Sequence, residues 1–137
     1  MGLKITGKVI FTPSVQNNVS SGTLQNIYTT DASDTNYETK QISPSGTVTN
    51  TYASGVGGGW RGVAVDSQGF VFTGDDDGSG DITKIDPDTG SELQRISLHT
   101  SWIGGLAIDS NDFLYSGSLD NTVRKIDSSG NEVWSFT

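Results

Sequence analysis

Two stretches of this 137-residue chain are written to one plan. "WRGVAVDSQGFVFTGD" begins at Trp60 and "WIGGLAIDSNDFLYSGS" at Trp102. Each runs from a Trp through a Gly and an apolar segment ending in Asp, then a polar turn and an aromatic-rich segment. Asp66 and Asp109 lie 43 residues apart, and Asp86 and Asp127 lie 41 apart. The longer loop "DDDGSGD" accounts for the difference. A fainter third copy, "NIYTTDASDTNYETKQISPSGTVTNTY", puts Tyr28 where Phe72 and Tyr115 stand, and Gly46 where Gly90 and Gly130 stand. A repeat of this length constrains the fold more than any other feature, because each unit must be one supersecondary structure that buries its apolar surface against its neighbours.

Within a unit the pattern reads as four strands. In the last copy they are Gly104–Ile108, Phe113–Gly117, Thr122–Ile126 and Glu132–Phe136. Val123 and Ile126 flank polar Arg124 and Lys125, and short polar turns "DSND", "SLDN" and "DSSG" join the strands. Gly46, Gly90 and Gly130 sit where a hairpin turn needs positive φ. Composition agrees: 32% of residues are hydrophobic and 18 are Gly, a balance suited to short strands and many turns. No run of a dozen residues carries helical apolar spacing. The expectation is an all-β chain of about three four-stranded antiparallel blades at 26–59, 60–101 and 102–137, behind a non-repeat segment at 1–25. "KITGKVIF", Lys4–Phe11, either opens the first unit or pairs elsewhere.

The stretch "HTSWIGGLAIDSNDFLYSGSLDNTVRKID", His99–Asp127, resembles a WD40 repeat. Leu98–His99 stands at the Gly-His position, Ser116–Gly117–Ser118, Asp120 and Thr122–Val123–Arg124 match directly, and Ile126–Asp127 replaces Trp-Asp. The Trp60 unit lacks the His and is similar to the looser propeller repeats of quinoprotein-like proteins. The resemblance implies a β-propeller and a structural network of His99, Ser116 and Asp120 that pins the blade, here without its Trp.

Propellers close with roughly four to eight blades, and three are too few. A longer parent chain, a ring completed by further copies, or ends packed on other proteins would each cover the open sheets. The favoured expectation is a homo-oligomer or larger assembly. Residues 1–25 serve as a closing strand or anchor, or as part of an irregular first blade.

The formal net charge of -8 argues against nucleic acid or anionic lipid as partner. Cys is absent, which excludes disulfides, thiolate nucleophiles and Cys-based zinc sites. No apolar stretch has the length of a signal peptide or membrane span, so no membrane insertion is expected and the compartment stays open.

Candidate chemistry is sparse. Asp75, Asp77 and Asp81 in the Asp-rich loop are a candidate Ca²⁺ site, set against a plain enlarged hairpin loop; no other cofactor is expected. Gly57–Gly62 satisfies G-x-G-x-x-G but precedes a strand, not a helix, and reads as a linker. His99, the single histidine, has no nucleophile-elbow partner and no Cys beside it for a metal. Trp60 and Trp102 begin equivalent units; packing between blades is the favoured role, glycan or partner contact the other. The expected function is therefore a non-catalytic propeller-repeat structural or interaction protein, such as a virion surface, tail or decorating component. The alternative is a carbohydrate-binding, Ca-assisted lectin-like module.

Overall fold

The computed structural model describes residues 9–10, 26–33, 36–53, 60–75 and 77–137. Residues 1–8, 11–25 and 54–59, and with them most of the N-terminal segment and the linker glycines, lie outside the described residues, as does the Trp60 side chain. Among the described residues every regular element is a strand. β1 (Val9–Ile10), β2 (Ile27–Ser33), β3 (Asn36–Ile42) and β4 (Val48–Ala53) form the first sheet in chain order. β5 (Trp60–Val65), β6 (Val71–Asp75), β7 (Asp81–Ile85) and β8 (Glu92–Ser97) form the second, and β9 (Ile103–Ile108), β10 (Leu114–Ser118), β11 (Val123–Ile126) and β12 (Glu132–Phe136) the third. Each is an antiparallel meander, and in the second and third sheets successive strands are joined by short turns or loops.

The turns explain the recurring Asp. Asp66 Oδ1 accepts the N–H groups of Gln68 and Phe70 at 3.0 and 2.9 Å, and Asp109 Oδ1 those of Asn111 and Phe113 at 2.9 and 3.1 Å. Asp127 does the same for Ser129 and Asn131, at 2.9 and 2.8 Å. A short acceptor one residue past the strand satisfies turn N–H groups that have no ladder partner. Gly46, Gly90 and Gly130 have φ of 84°, 73° and 86°, the left-handed region their turns require.

The register is the same from unit to unit. Ile27 pairs with Ile42, Val71 with Ile85, and Leu114 with Ile126. Since side chains alternate across a sheet, each sheet has a rear face, directed toward the preceding sheet, and a front face directed toward the following one. Val63, Val71 and Ile85 on the rear of the second sheet pack with Tyr28 and Tyr52 on the front of the first. Ala64, Phe72, Ile82 and Ile96 on the front of the second pack with Leu106, Leu114 and Ile126 on the rear of the third, around a fully buried Ile103. Gly74 lets β6 approach β9: a Cβ there would lie 2.4 Å from Ile103 Cγ2.

Even the surface decoration repeats. Lys84 Nζ sits 4.3 Å from the Phe70 ring centre and 3.3 Å from Asp66, and Lys125 Nζ sits 3.9 Å from the Phe113 ring centre and 3.9 Å from Asp109.

Candidate functional site

The densest polar constellation lies where the segment before β9 meets the β10–β11 turn. His99 is 4% exposed, with Nε2 2.7 Å from Ser116 Oγ and Nδ1 3.1 Å from Asp120 Oδ2. The carboxylate only accepts, so Nδ1 carries the proton and the Ser116 hydroxyl donates to Nε2. Asp120 also accepts the Thr100 N–H at 3.0 Å, the Thr122 N–H at 2.9 Å and the Thr122 hydroxyl at 2.6 Å. Burial pushes the imidazole below its ordinary value; the Asp120 hydrogen bond and charge act the other way and do not overcome it. Burial alone would raise the Asp120 carboxyl, yet the hydrogen bonds from Thr122, Thr100 and His99 hold it well below the usual carboxylate range. Ser116 is 1% exposed. A hydroxyl so enclosed cannot reach a substrate carbonyl, and the order Asp–His–Ser here ties the β8–β9 connection to the middle of β10 and to the β10–β11 turn.

Thr122 and Thr100 complete the constellation; Thr122 belongs to the matched repeat motif without a role in the network being read from it, and Thr100 carries no signal in the sequence. Thr122 lies two residues past Asp120, the spacing at which an Asx turn closes, and that was the available signal. The backbone around the network is tight. Gly80 has φ of 75°, and a Cβ there would lie 2.5 Å from the His99 carbonyl oxygen.

Asp75, Asp77 and Asp81 are otherwise engaged. Asp75 is 2% exposed at the end of β6, and its Oδ1 accepts the Asp77 N–H at 3.0 Å. Asp77 Oδ1 accepts the Ser79 N–H at 2.7 Å, and Asp81 is bound by Arg95 at 3.2 Å. Among the described residues no three acidic or His side chains gather as a cation site. Trp102 lies before β9, 39% exposed, with its indole edge against Gly78 of the Asp-rich loop. Trp60 opens β5, its backbone paired with Asp75.

The second notable region is the front face of the third sheet. Tyr115, Lys125 and Trp134 are in register across β10, β11 and β12, as are Gly117, Val123 and Phe136. In the second sheet the same stations hold Phe72, Lys84 and Gln94, and Gly74, Ile82 and Ile96. Ile82 and Ile96 are 0% and 4% exposed, whereas Val123 and Phe136 are 44% and 72% exposed. The Tyr115 and Trp134 rings meet at 6.1 Å between centres. The third sheet thus presents the side chains that its predecessor buries.

The fold is similar to that of a solved structure titled "Crystal structure of WD40 beta propeller domain of Doa1", with a TM-score of 0.70 at 23% identity over 82% of this chain and 36% of that one. The chain has the fold of three stacked blades of a β-propeller. It spans about a third of the length of that WD40 structure, and the likeness is one of fold. No family model and no curated protein matches the sequence. The His99–Ser116–Asp120 network belongs to the third blade; in the second blade Thr73 takes the Ser116 station and gives its hydroxyl to the Thr83 carbonyl at 3.4 Å. No helix among the described residues is long and apolar enough to cross a membrane.

Proposed function

We propose that this chain is a non-catalytic interaction module whose three blades are covered by other protein chains within a larger assembly. The observation that carries the reading is the front face of the third blade. Val123, Val133, Trp134 and Phe136 are 44%, 51%, 41% and 72% exposed, and three of the four stand on stations built for contact between blades. A contiguous apolar sheet face of this kind marks a protein-binding surface. The buried His99 network supports the non-catalytic reading, since its chemistry is turned inward. A virion surface, tail or decorating structure is the assembly we favour, by analogy with repeat modules of this kind in tailed viruses.

Site-specific photocrosslinking tests the reading. A photoreactive residue at Phe136, in the particle or cell that naturally carries the protein, should yield discrete protein adducts; the same residue at exposed Thr89 on the β7–β8 turn should not. Equal crosslinking from both positions, or none from Phe136, would refute it. The lectin reading draws on Trp102, 39% exposed beside the Asp-rich loop. It predicts a glycan-induced change in tryptophan fluorescence that is lost in Trp102→Ala, and a glycan array without hits removes it.

A further inference from the structure

The two seams between sheets use the same stations but different side chains. Ile42, Ile85 and Ile126 end the third strand of each sheet and pair with Ile27, Val71 and Leu114. Counted from them, Tyr28 stands where Phe72 does, Thr39 where Ile82 does, and Tyr52 where Ile96 does. All six face the following sheet. The second sheet closes its seam there with hydrocarbon side chains, and the first puts a hydroxyl at each of the same stations.

A buried hydroxyl needs a partner. The Tyr28 hydroxyl takes an N–H from Gln41 at 2.9 Å, and the Tyr52 hydroxyl donates to the Pro87 carbonyl at 2.8 Å. Thr39 is fully buried, and its Oγ1 has no hydrogen-bond partner among the described residues. Across the seam, on the rear of the second sheet, Thr83 is 3% exposed and its Oγ1 has no partner either. The two belong to one part of the seam. Tyr52, opposite Thr39 on β4, packs in one cluster with Ile85, and Thr83 lies two residues from Ile85 on the same face of β7. Thr73, paired with Thr83 and fully buried, gives its hydroxyl to the Thr83 carbonyl at 3.4 Å and keeps its acceptor sites. The second seam differs. Ile82 is fully buried in the cluster that holds Ile103, Leu106, Leu114 and Ile126. The unpartnered polar atom on that side is Arg124 Nε, in a guanidinium that Glu132 already binds through another nitrogen.

We propose that the first seam is a binding site for internal water, held between the Thr39 and Thr83 hydroxyls. Left unpaired, each hydroxyl would keep the full cost of leaving solvent. A buried water bridges polar groups that the protein cannot pair, provided the site offers two to four polar partners. Thr39, Thr83 and the acceptor sites of Thr73 supply them. The hydroxyls are neutral and can donate or accept, so a water matches them without a compensating charge. Val has nearly the shape of Thr, so hydrocarbon would fill these stations as well as Ile82 fills its own. Hydroxyls on both sides of one seam therefore mark a polar site, whereas the Ile82 station of the next seam is apolar and stays dry.

Magnetic relaxation dispersion of water ²H and ¹⁷O in solutions of the full chain tests the site, because water held inside a protein adds a low-frequency step that surface water does not. Wild type should show the step. The double variant Thr39→Val with Thr83→Val should show a lower one, and Ile82→Val should leave it unchanged. Urea midpoints give a second reading. Each single Val substitution should lower the midpoint, since it leaves the water short of a partner; in a dry seam it would raise the midpoint by removing an unpaired hydroxyl. Circular dichroism confirms that the variants fold. A high-resolution crystal structure of wild type decides without substitution: a density peak within hydrogen-bond distance of both Oγ1 atoms supports the site, and a dry gap overturns it. No step in wild type, an undiminished step in the double variant, or a raised midpoint in the single variants would overturn it as well.

Discussion

Replacing His99 by Ala should cost the fold far more than the loss of one surface histidine. The imidazole is 4% exposed and bridges Ser116 and Asp120. Asp120 keeps three donors from Thr100 and Thr122 and remains satisfied. The Ser116 hydroxyl, 1% exposed, loses its acceptor, a penalty of about 1–3 kcal/mol. Lost packing and the space left behind add about 1–2 kcal/mol, taken at the low end of core truncations because the site is partly polar. The expected total is about 2–5 kcal/mol. Ser116→Ala alone leaves Nε2 without its donor and costs about 1–3 kcal/mol. The double variant removes both ends of the bond, so it should be less damaging than the sum of the singles by about 1 kcal/mol or more. Urea unfolding followed by tryptophan fluorescence measures all four proteins, with the midpoints moving and the slopes unchanged. Strict additivity, or a His99→Ala cost below about 0.5 kcal/mol, would show that the network does not hold the blade.

Burial holds His99 below its ordinary 6.5, so the unfolded chain binds the extra proton first and stability should fall as pH drops below that value; His99→Gln should flatten this part of a pH series of urea midpoints. Asp120, also depressed, adds a second loss as pH falls below 3.8, and Asp120→Asn should remove it. Gly74→Ala sets a Cβ 2.4 Å from Ile103 Cγ2 and should destabilise by about 1–3 kcal/mol in the same assay, with Gly105→Ala, where nothing lies within 4 Å, as the control. Asp112→Ala removes both bonds to Ser67, at 2.8 and 2.6 Å, and should raise amide hydrogen exchange at Ser67–Gly69 while leaving the β10–β11 ladder protected.

Much of the architecture was legible because two of its determinants are local. Hairpin glycines at 46, 90 and 130 and strand-ending aspartates at 66, 86, 109 and 127 are turn chemistry, and turn chemistry is written in short words. The strands of the last blade lie within a residue or so of their expected limits, as Ile103–Ile108 and Leu114–Ser118 show. Contacts between blades were not legible. Asn50 to Pro87 and Gln94 to Ser129 join residues 37 and 35 apart, and neither amide belongs to a recognisable motif. The spacing in the Asp-rich loop was legible, but the partners its carboxylates take were not. Arg95, on the neighbouring strand β8, takes Asp81, and that pairing depends on the β7–β8 register. Thr122 was visible as part of a matching motif, but its bond to Asp120 needed the turn to be closed.

The acidity has a physical account that needs no ligand. Asp66, Asp75, Asp77, Asp86, Asp109, Asp120 and Asp127 each accept at least one backbone N–H from their own turn or loop. A meander of short strands has a turn every few residues, and each turn leaves N–H groups outside the ladder. Asp serves them with a short, charged acceptor that also tolerates unusual backbone, as the φ of 60° at Asp112 illustrates. The hydrogen bonds that Asp86, Asp109 and Asp127 receive hold their carboxyls below the ordinary range, so these groups stay ionised in the native state. The net charge of -8 is thus largely a by-product of building many tight turns. Asp66, Asp77, Asp86, Asp88, Asp109, Asp112, Asp120 and Asp127 sit on the turns and loops between strands, whereas the front face of the third blade carries rings, Val and a single Lys already paired with Asp109. Charge therefore keeps the turn-bearing surface in water and is sparse on the front face of the third blade.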